Sequence, residues 1–284
     1  MKIARVGTAG SERPVVLDAS GNAFDLSGVV SDVDGAFLAG GGLSRVRAEL
    51  DTGRLPLLAI ESLRTGPPVA RPGKVVCLGY NYLDHAEETG APTPPEPKIF
   101  MKASNTVVGA YDDVLVPRGS TKTDWEIELG VVIGRTARYL DSPEDAKKVI
   151  AGYAVSNDVS ERTFQIERGG QWTKGKSCET FNPLGPWLVP AGEIDDVQDL
   201  GLRLWVNGEQ RQNGSTKNMI FDVAYVIWYL SQFMVLDPGD LINTGTPAGV
   251  ALGMPDPKPY LRAGDVVEAE IDGLGKQRQV MVQA

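Results

Sequence analysis

The sequence predicts an α+β fold that is mostly β. Three observations carry this: short runs of β-branched and apolar residues recur between Gly, Pro, Asn and Ser, only a few stretches read as helix, and strands and helices do not alternate in a βαβ rhythm. Neither a GxGxxG nor a Walker loop is present. At 284 residues the chain can bury a large core as one large or two moderate domains. The expected division is a small β-rich unit over residues 1–70 and a larger one over 71–284.

Taken in order, Lys2–Val6, Val15–Asp18 and Ala23–Leu26 read as strands between Gly and Ser turn signals. Leu43, Val46 and Leu50 mark a short helix stopped at Gly53. Leu63–Gly73, rich in Pro and Gly, suits a linker. The second unit opens with a strand over Lys74–Leu78, followed by a polar helical stretch over Leu83–Glu88 and the proline-rich Ala91–Pro97. Strands follow at Ile99–Lys102 and Val114–Val116. The acidic stretch Thr123–Gly134 reads as one strand, and a helix should be capped by Ser142 and started by Pro143. The strand Gly152–Asp158 presents Asn157 and Asp158 at its end, and Gln171–Lys176 reads as a loop. Leu202–Val206 and Glu209–Gln212, joined by Asn207-Gly208, form a type I′ hairpin. Ile220–Met234 reads as a buried helix and Leu241–Thr244 as a strand running into TGTPAGV. Val266–Ile271 and Gln277–Val282 close the chain as a hairpin.

The acidic strand carries the chemistry. Trp125, Ile127 and Leu129 alternate with Asp124, Glu126 and Glu128, so the carboxylates share one face. Two carboxylates within about 4 Å repel by roughly 4 kcal/mol at an effective dielectric near 20. Protonation, a basic partner or a divalent cation relieves that repulsion, and oxygen-only ligands favour Mg²⁺, Mn²⁺ or Ca²⁺. The same pattern also describes the solvated face of an amphipathic strand.

His85 is the only histidine. Glu88, three residues on, is its neighbour on one helical face, and a carboxylate so placed can orient an imidazole for general-base work. An exposed surface pair has the same spacing. The proline-rich loop beside it has the composition of a hinged lid over Leu83–Pro97. Arg162 and Gln165, three apart beyond Asp158, suit an anionic, carbonyl-bearing ligand; a structural Arg–Asp salt bridge is the alternative. Gly245 and Gly249 would let backbone approach a ligand.

Composition excludes much else. Acids outnumber bases 37 to 28, a net charge of −9, with no basic block to suggest a nucleic-acid partner. No segment has the apolar length of a signal peptide or a membrane span, so a cytoplasmic protein is expected. Cys77 and Cys178 lack zinc or disulfide spacing and read as core fillers.

With Asp124–Leu129, Asn157-Asp158-Val159-Ser160, Arg162, Gln165, Gly175-Lys176-Ser177 and Thr244-Gly245-Thr246 in this order, the chain resembles the fumarylacetoacetate hydrolase family over about residues 70–284. The resemblance implies a β-roll catalytic domain, usually a homodimer. It implies Mg²⁺, with Mn²⁺ or Ca²⁺ as substitutes, held by Glu126, Glu128 and Asp158. His85 and Glu88 match the base dyad, with Lys176 as a third catalytic group. Arg162, Gln165, Lys176, Gly245 and Thr246 match substrate-holding positions. Cys178 stands where many members have Phe, which leaves the pocket's shape open. The N-terminal unit and the run Phe164–Trp187 are most similar to members that hydrolyse 2,4-diketo-3-deoxy-L-rhamnonate or L-fuconate. Decarboxylation or isomerisation of 2-oxo acids and hydrolysis of other acylpyruvates are the near alternatives. A ureidoglycolate lyase or a non-catalytic oxo-acid-binding protein is weaker.

Overall fold

A computed structural model describes residues 1–284. The fold is α+β and mostly β, as the turn-punctuated sequence predicts. A large sheet runs in the order Lys98–Lys102, Val75–Gly79, Leu241–Asn243, Ile127–Ile133, Ile150–Asn157, Asn182–Leu184, Val107–Gly109, with Val189–Pro190 also paired to Ile150–Asn157. A five-stranded sheet runs Glu209–Ser215, Gly201–Val206, Val266–Ile271, Gly275–Gln283, Val114–Val116. Lys2–Val6, Arg13–Leu17 and Ala23–Asp25 form a third, antiparallel sheet. No helix is long and apolar enough to cross a membrane.

The period-two pattern of the strands decides which layer each residue joins. Val76, Leu78, Ile127, Leu129 and Val131 face a core shared with Leu202, Leu204, Val267 and Ile271 of the five-stranded sheet and with Val226, Ile227 and Leu230 of the helix Val223–Ser231. Their neighbours Val75, Cys77, Val132, Ala154 and Leu241 face the other way, onto Ile3, Val16, Leu26 and Val46. The N-terminal unit thus covers the second face of the large sheet, and Ile3 bridges to Leu188.

Four local expectations need correction. The acidic stretch is not one strand: Thr123–Asp124 pairs with Ser160–Glu161, Ile127–Ile133 pairs with Ile150–Asn157, and the ladder breaks at Trp125 and Glu126. There the Glu126 amide donates to the Asn157 side chain at 3.1 Å. The segment after Ser142 is a 3₁₀ turn, Pro143–Lys148, with no side-chain cap. Gln171–Lys176 is not all loop, since Thr173–Lys176 forms a helical turn. The helix expected over Ile220–Met234 is shorter, Val223–Ser231, because the Asp222 side chain accepts from the Tyr225 amide at 2.7 Å and fixes its start. The hairpin turn is as the sequence reads, with Asn207 at φ 52° and Gly208 at φ 81°.

Candidate active site

The break in the acidic stretch sits just before the strand Ile127–Ile133, and the carboxylates around it are buried. None forms a solvated face: Asp124, Glu126, Glu128 and Asp158 are all buried, between 0 and 5% exposed. One carboxylate oxygen from each of Glu126, Glu128 and Asp158 lies within 4.8 Å of the others. Asp158 reaches them because the strand Ile150–Asn157 runs antiparallel to Ile127–Ile133 and ends beside its start, where the Asp158 amide donates to the Glu126 carbonyl at 2.9 Å.

Three buried cations answer these acids. Lys176 Nζ donates to Glu126 Oε2 at 2.7 Å and Asp158 Oδ2 at 2.8 Å. Gly175 allows its approach, because a Cβ there would collide with the Glu161 carbonyl. Arg162 contacts Asp124 and Glu126, with Nη1 2.7 Å from Glu126 Oε1, and donates to Gln165 Oε1 at 3.1 Å. Lys102 ion-pairs with Asp158 and donates to the carbonyls of Val159 and Phe181 at 3.1 and 2.7 Å. Lys102 escaped the sequence reading, since its acid partner is 56 residues away and nothing in KIFMK marks it.

The charges do not balance. Burial opposes ionisation of Glu126, but Lys176 and Arg162 outweigh it and hold its carboxyl well below the usual range. Glu128 has no ion-pair partner, and its Oε2 accepts only from the Gly245 amide, at 2.7 Å. Burial, then Asp158 and Glu126, push its carboxyl well above the usual range. Burial works against charge on Lys176, yet Asp158 and Glu126 raise its pKa and keep it an ammonium. Four carboxylates face three cations. An all-oxygen triad with one uncompensated acid is the donor chemistry of a hard divalent cation, and the residues fit such an ion.

His85 and Glu88 come to the same cleft. His85 is 7% exposed, and its Nδ1 lies 2.8 Å from Glu88 Oε1, so the pair is not an exposed surface contact. A carboxylate only accepts, so Nδ1 donates the proton of this bond and Nε2 is the ring nitrogen not held by Glu88. Tyr80 stacks on the imidazole at 5.8 Å, and Trp172 meets Tyr80 and Phe100 edge-on. These aromatics line the cleft with Leu78, Leu252, the two glutamates, Arg162, Gln165, Lys176 and Thr246. The pattern around Gly79-Tyr80 gave no hint of the wall, which brings Trp172 onto two residues far from it in the chain, Tyr80 and Phe100. The Arg–Asp bridge and the cleft-lining place are both true of Arg162. Gly245 meets Glu128 through its amide. The Thr246 hydroxyl donates to the Ile127 carbonyl and accepts from Gln212 Nε2, both within 2.8 Å. Cys77 is buried and Cys178 half-buried, and both are free thiols.

Comparison with known proteins agrees with this geometry. A Burkholderia multivorans protein, named only in general terms as a hydrolase, is 50% identical over 280 residues, covering 99% of this chain and 98% of the relative. Among solved structures, the fumarylacetoacetate hydrolase of Exiguobacterium antarcticum superposes with a TM-score of 0.87 at 34% identity, with all of both chains covered. The 2-hydroxyhepta-2,4-diene-1,7-dioate isomerase of Mycobacterium marinum gives 0.76 at 30% identity, covering 100% of this chain and 98% of the other. The maleylpyruvate hydrolase of Sphingobium sp. SYK-6, solved with manganese(II) and pyruvate, gives 0.82 at 27% identity over all of both chains. The family pattern described as fumarylacetoacetate (FAA) hydrolase C-terminal matches residues 74–282, and the chain belongs to that family of hydrolases and related enzymes.

Proposed function

We propose that this protein is a divalent-metal-dependent hydrolase that cleaves the C3–C4 bond of a 2,4-diketo acid. The substrate class we favour is 2,4-diketo-3-deoxy-L-rhamnonate or L-fuconate, giving pyruvate and lactate. The observation that carries the reading is the buried His85–Glu88 pair beside an all-oxygen acid triad. In it, Glu126, Glu128 and Asp158 would hold Mg²⁺, or Mn²⁺ or Ca²⁺ in its place, which when bound supplies electrostatic stabilisation of charge developing on a 2-oxo acid.

The chain's own residues then divide the work. Glu88 holds the imidazole in the tautomer whose Nε2 is free to take a proton from water. That water adds to the C4 carbonyl, and collapse of the adduct breaks C3–C4, releasing a carboxylic acid and the enolate of pyruvate. Lys176, kept protonated by its acid neighbours, faces the developing charge. Arg162 and Gln165 hold the substrate carboxylate, with Gly245 and Thr246 shaping the same end of the cleft. The aromatic wall of Tyr80, Phe100 and Trp172 excludes water from the acyl half. A homodimer in the cytoplasm is part of this reading.

The isomerase among the structural neighbours favours a second reading, isomerisation or decarboxylation of a 2-oxo acid at the same centre. A panel of 2,4-diketo acids, assayed for pyruvate release by the Mg²⁺-loaded protein, separates the two. Pyruvate with the matching carboxylic acid supports hydrolysis; turnover of a 2-oxo acid without pyruvate release supports the second reading.

A further inference from the structure

Asp124 opens the acid cluster but stands outside the triad. It is fully buried, and both its oxygens are in use. Oδ1 accepts from the Ala251 amide at 2.8 Å and from the Trp125 amide at 2.9 Å; Oδ2 accepts from the Leu252 amide at 3.0 Å and from Arg162 Nε at 2.8 Å. Its neighbour Trp125 donates its indole N–H to the Gly249 carbonyl at 3.0 Å. The Gly249 amide in turn donates to Glu88 Oε2 at 2.9 Å, and Glu88 Oε1 holds His85. Gly249 sits at φ +106°, and a Cβ there would strike the Arg211 carbonyl, so the turn has little freedom to move. Hydrogen bonds at both ends of the turn Gly249–Leu252 therefore join Arg162, through Asp124 and the turn's own backbone, to Glu88 and the imidazole.

Arg162 supplies the second observation. Its Nη2 is buried and lies 2.8 Å from Asp124 Oδ2, yet it has no acceptor in hydrogen-bonding alignment. The guanidinium is thus held by Asp124 through Nε and by Glu126 and Gln165 through Nη1, and Nη2 is the one nitrogen left with donor capacity for an anion.

We propose that Asp124 is a positioning residue that sets Arg162 and the Glu88–His85 pair in one register, so that the ligand-holding and water-activating halves of the cleft are built together. This rests on the roles proposed above for Arg162 and His85. Asparagine at 124 keeps the volume but, in either orientation, places an NH₂ where two of the four donors must be accepted. Either orientation disturbs the turn, the guanidinium or both. Trp125→Phe removes the bond to the turn, at some loss of core packing, and leaves every hydrogen bond of the Asp124 carboxylate in place.

The test uses the chain's single imidazole, whose ¹⁵N signals report the His85 tautomer without any substrate. In the intact protein the Nδ1–H form should dominate. Asp124→Asn and Trp125→Phe should each raise the share of the Nε2–H form. In kinetics with a 2,4-diketo acid, Asp124→Asn should raise KM and lower kcat, each by roughly tenfold to a hundredfold, the scale of a small misplacement. Trp125→Phe should lower kcat alone. A merely structural Asp124 would lower the melting temperature and leave the tautomer of the folded protein unchanged, and that result overturns the proposal. If Asp124→Asn does not fold, an unchanged tautomer in Trp125→Phe overturns it equally. Failure of the intact protein to cleave any diketo acid would overturn the functional reading and leave the tautomer result standing.

Discussion

His85 Nδ1 and Glu88 Oε1 lie 2.8 Å apart across one turn of the helix Leu83–Glu88, and Glu88's other oxygen is pinned by the Gly249 amide from a loop 161 residues away. An exposed pair at this spacing is worth only a few tenths of a kcal/mol and cannot hold one tautomer. The second anchor removes the glutamate's freedom, so the imidazole is oriented by the tertiary structure and not by its helix alone.

The acid triad should be inseparable from activity. Glu126→Gln removes the charge nearest to both Lys176 and Arg162, and calorimetry should show Mg²⁺ binding and turnover lost together. Full activity of metal-stripped protein in excess chelator would refute a metal role.

Glu128 predicts how the metal's effect depends on pH. Its carboxyl is raised in the folded state by burial, Asp158 and Glu126. The stability from keeping it neutral is therefore present below the ordinary carboxylate range, about 4.3 for Glu, and is lost as pH climbs toward the raised value. Glu126 has the opposite shift, so its contribution is complete above that range and adds no slope there. Metal-free protein should be less stable at a pH well above the ordinary carboxylate range than at one near it, with Mg²⁺ restoring more at the upper pH. Melting curves at both pH values, with and without Mg²⁺, check this, and Glu128→Gln should flatten the difference. An equal Mg²⁺ effect at the two pH values would count against it.

Much of this site is legible in the chain and some is not. Glu126 and Glu128 announce themselves because alternation on a strand is a local signal, and His85–Glu88 because i,i+3 is a helical one. The break at Trp125 and Glu126 leaves no such trace, since it depends on Asn157 and Gln212 satisfying the amides of Glu126 and Ile127 from other strands. Lys102 is silent for the same reason: a lysine at a strand end is ordinary until the fold brings Asp158 to it. The β-rich N-terminal strands were readable, but that they cover the second face of the large sheet follows only from packing.

Lys102 should matter to stability first. Its side chain is fully buried on Asp158 and two carbonyls. Lys102→Met leaves those acceptors unpaired, and breaking a buried pair typically costs about 3–5 kcal/mol. Urea unfolding measures it, and a loss within ~1 kcal/mol would show that Asp158 is satisfied by Lys176 alone.

The lid prediction concerns Leu83–Pro97. Beyond its helix the segment is tied down by few contacts, among them the Tyr229 hydroxyl donating to Glu96 at 2.7 Å. Hydrogen exchange at the Thr93 and Glu96 amides, the two in Pro92–Pro97, should be fast in the free protein and slow with pyruvate or oxalate bound. Identical exchange in both states would remove the hinge argument.

The sharpest expectation is that His85 serves the hydrolytic step and neither metal binding nor enolate stabilisation. The triad that would hold the cation contains no imidazole, and the ammonium of Lys176 lies against Glu126 and Asp158, apart from the dyad. His85→Ala should therefore still bind Mg²⁺ and a 2-oxo acid by calorimetry, and should still exchange the C3 protons of pyruvate in deuterated water. It should cleave the diketo acid about 10²- to 10⁴-fold more slowly, the usual cost of a lost general base. Glu88→Gln should show a milder loss, because the amide still contacts Nδ1 but can equally well donate to it, which admits the wrong tautomer. A His85→Ala protein that hydrolyses at the parent rate would mean that another group activates the water. Loss of C3 exchange together with hydrolysis would instead place the imidazole at the enolisation step.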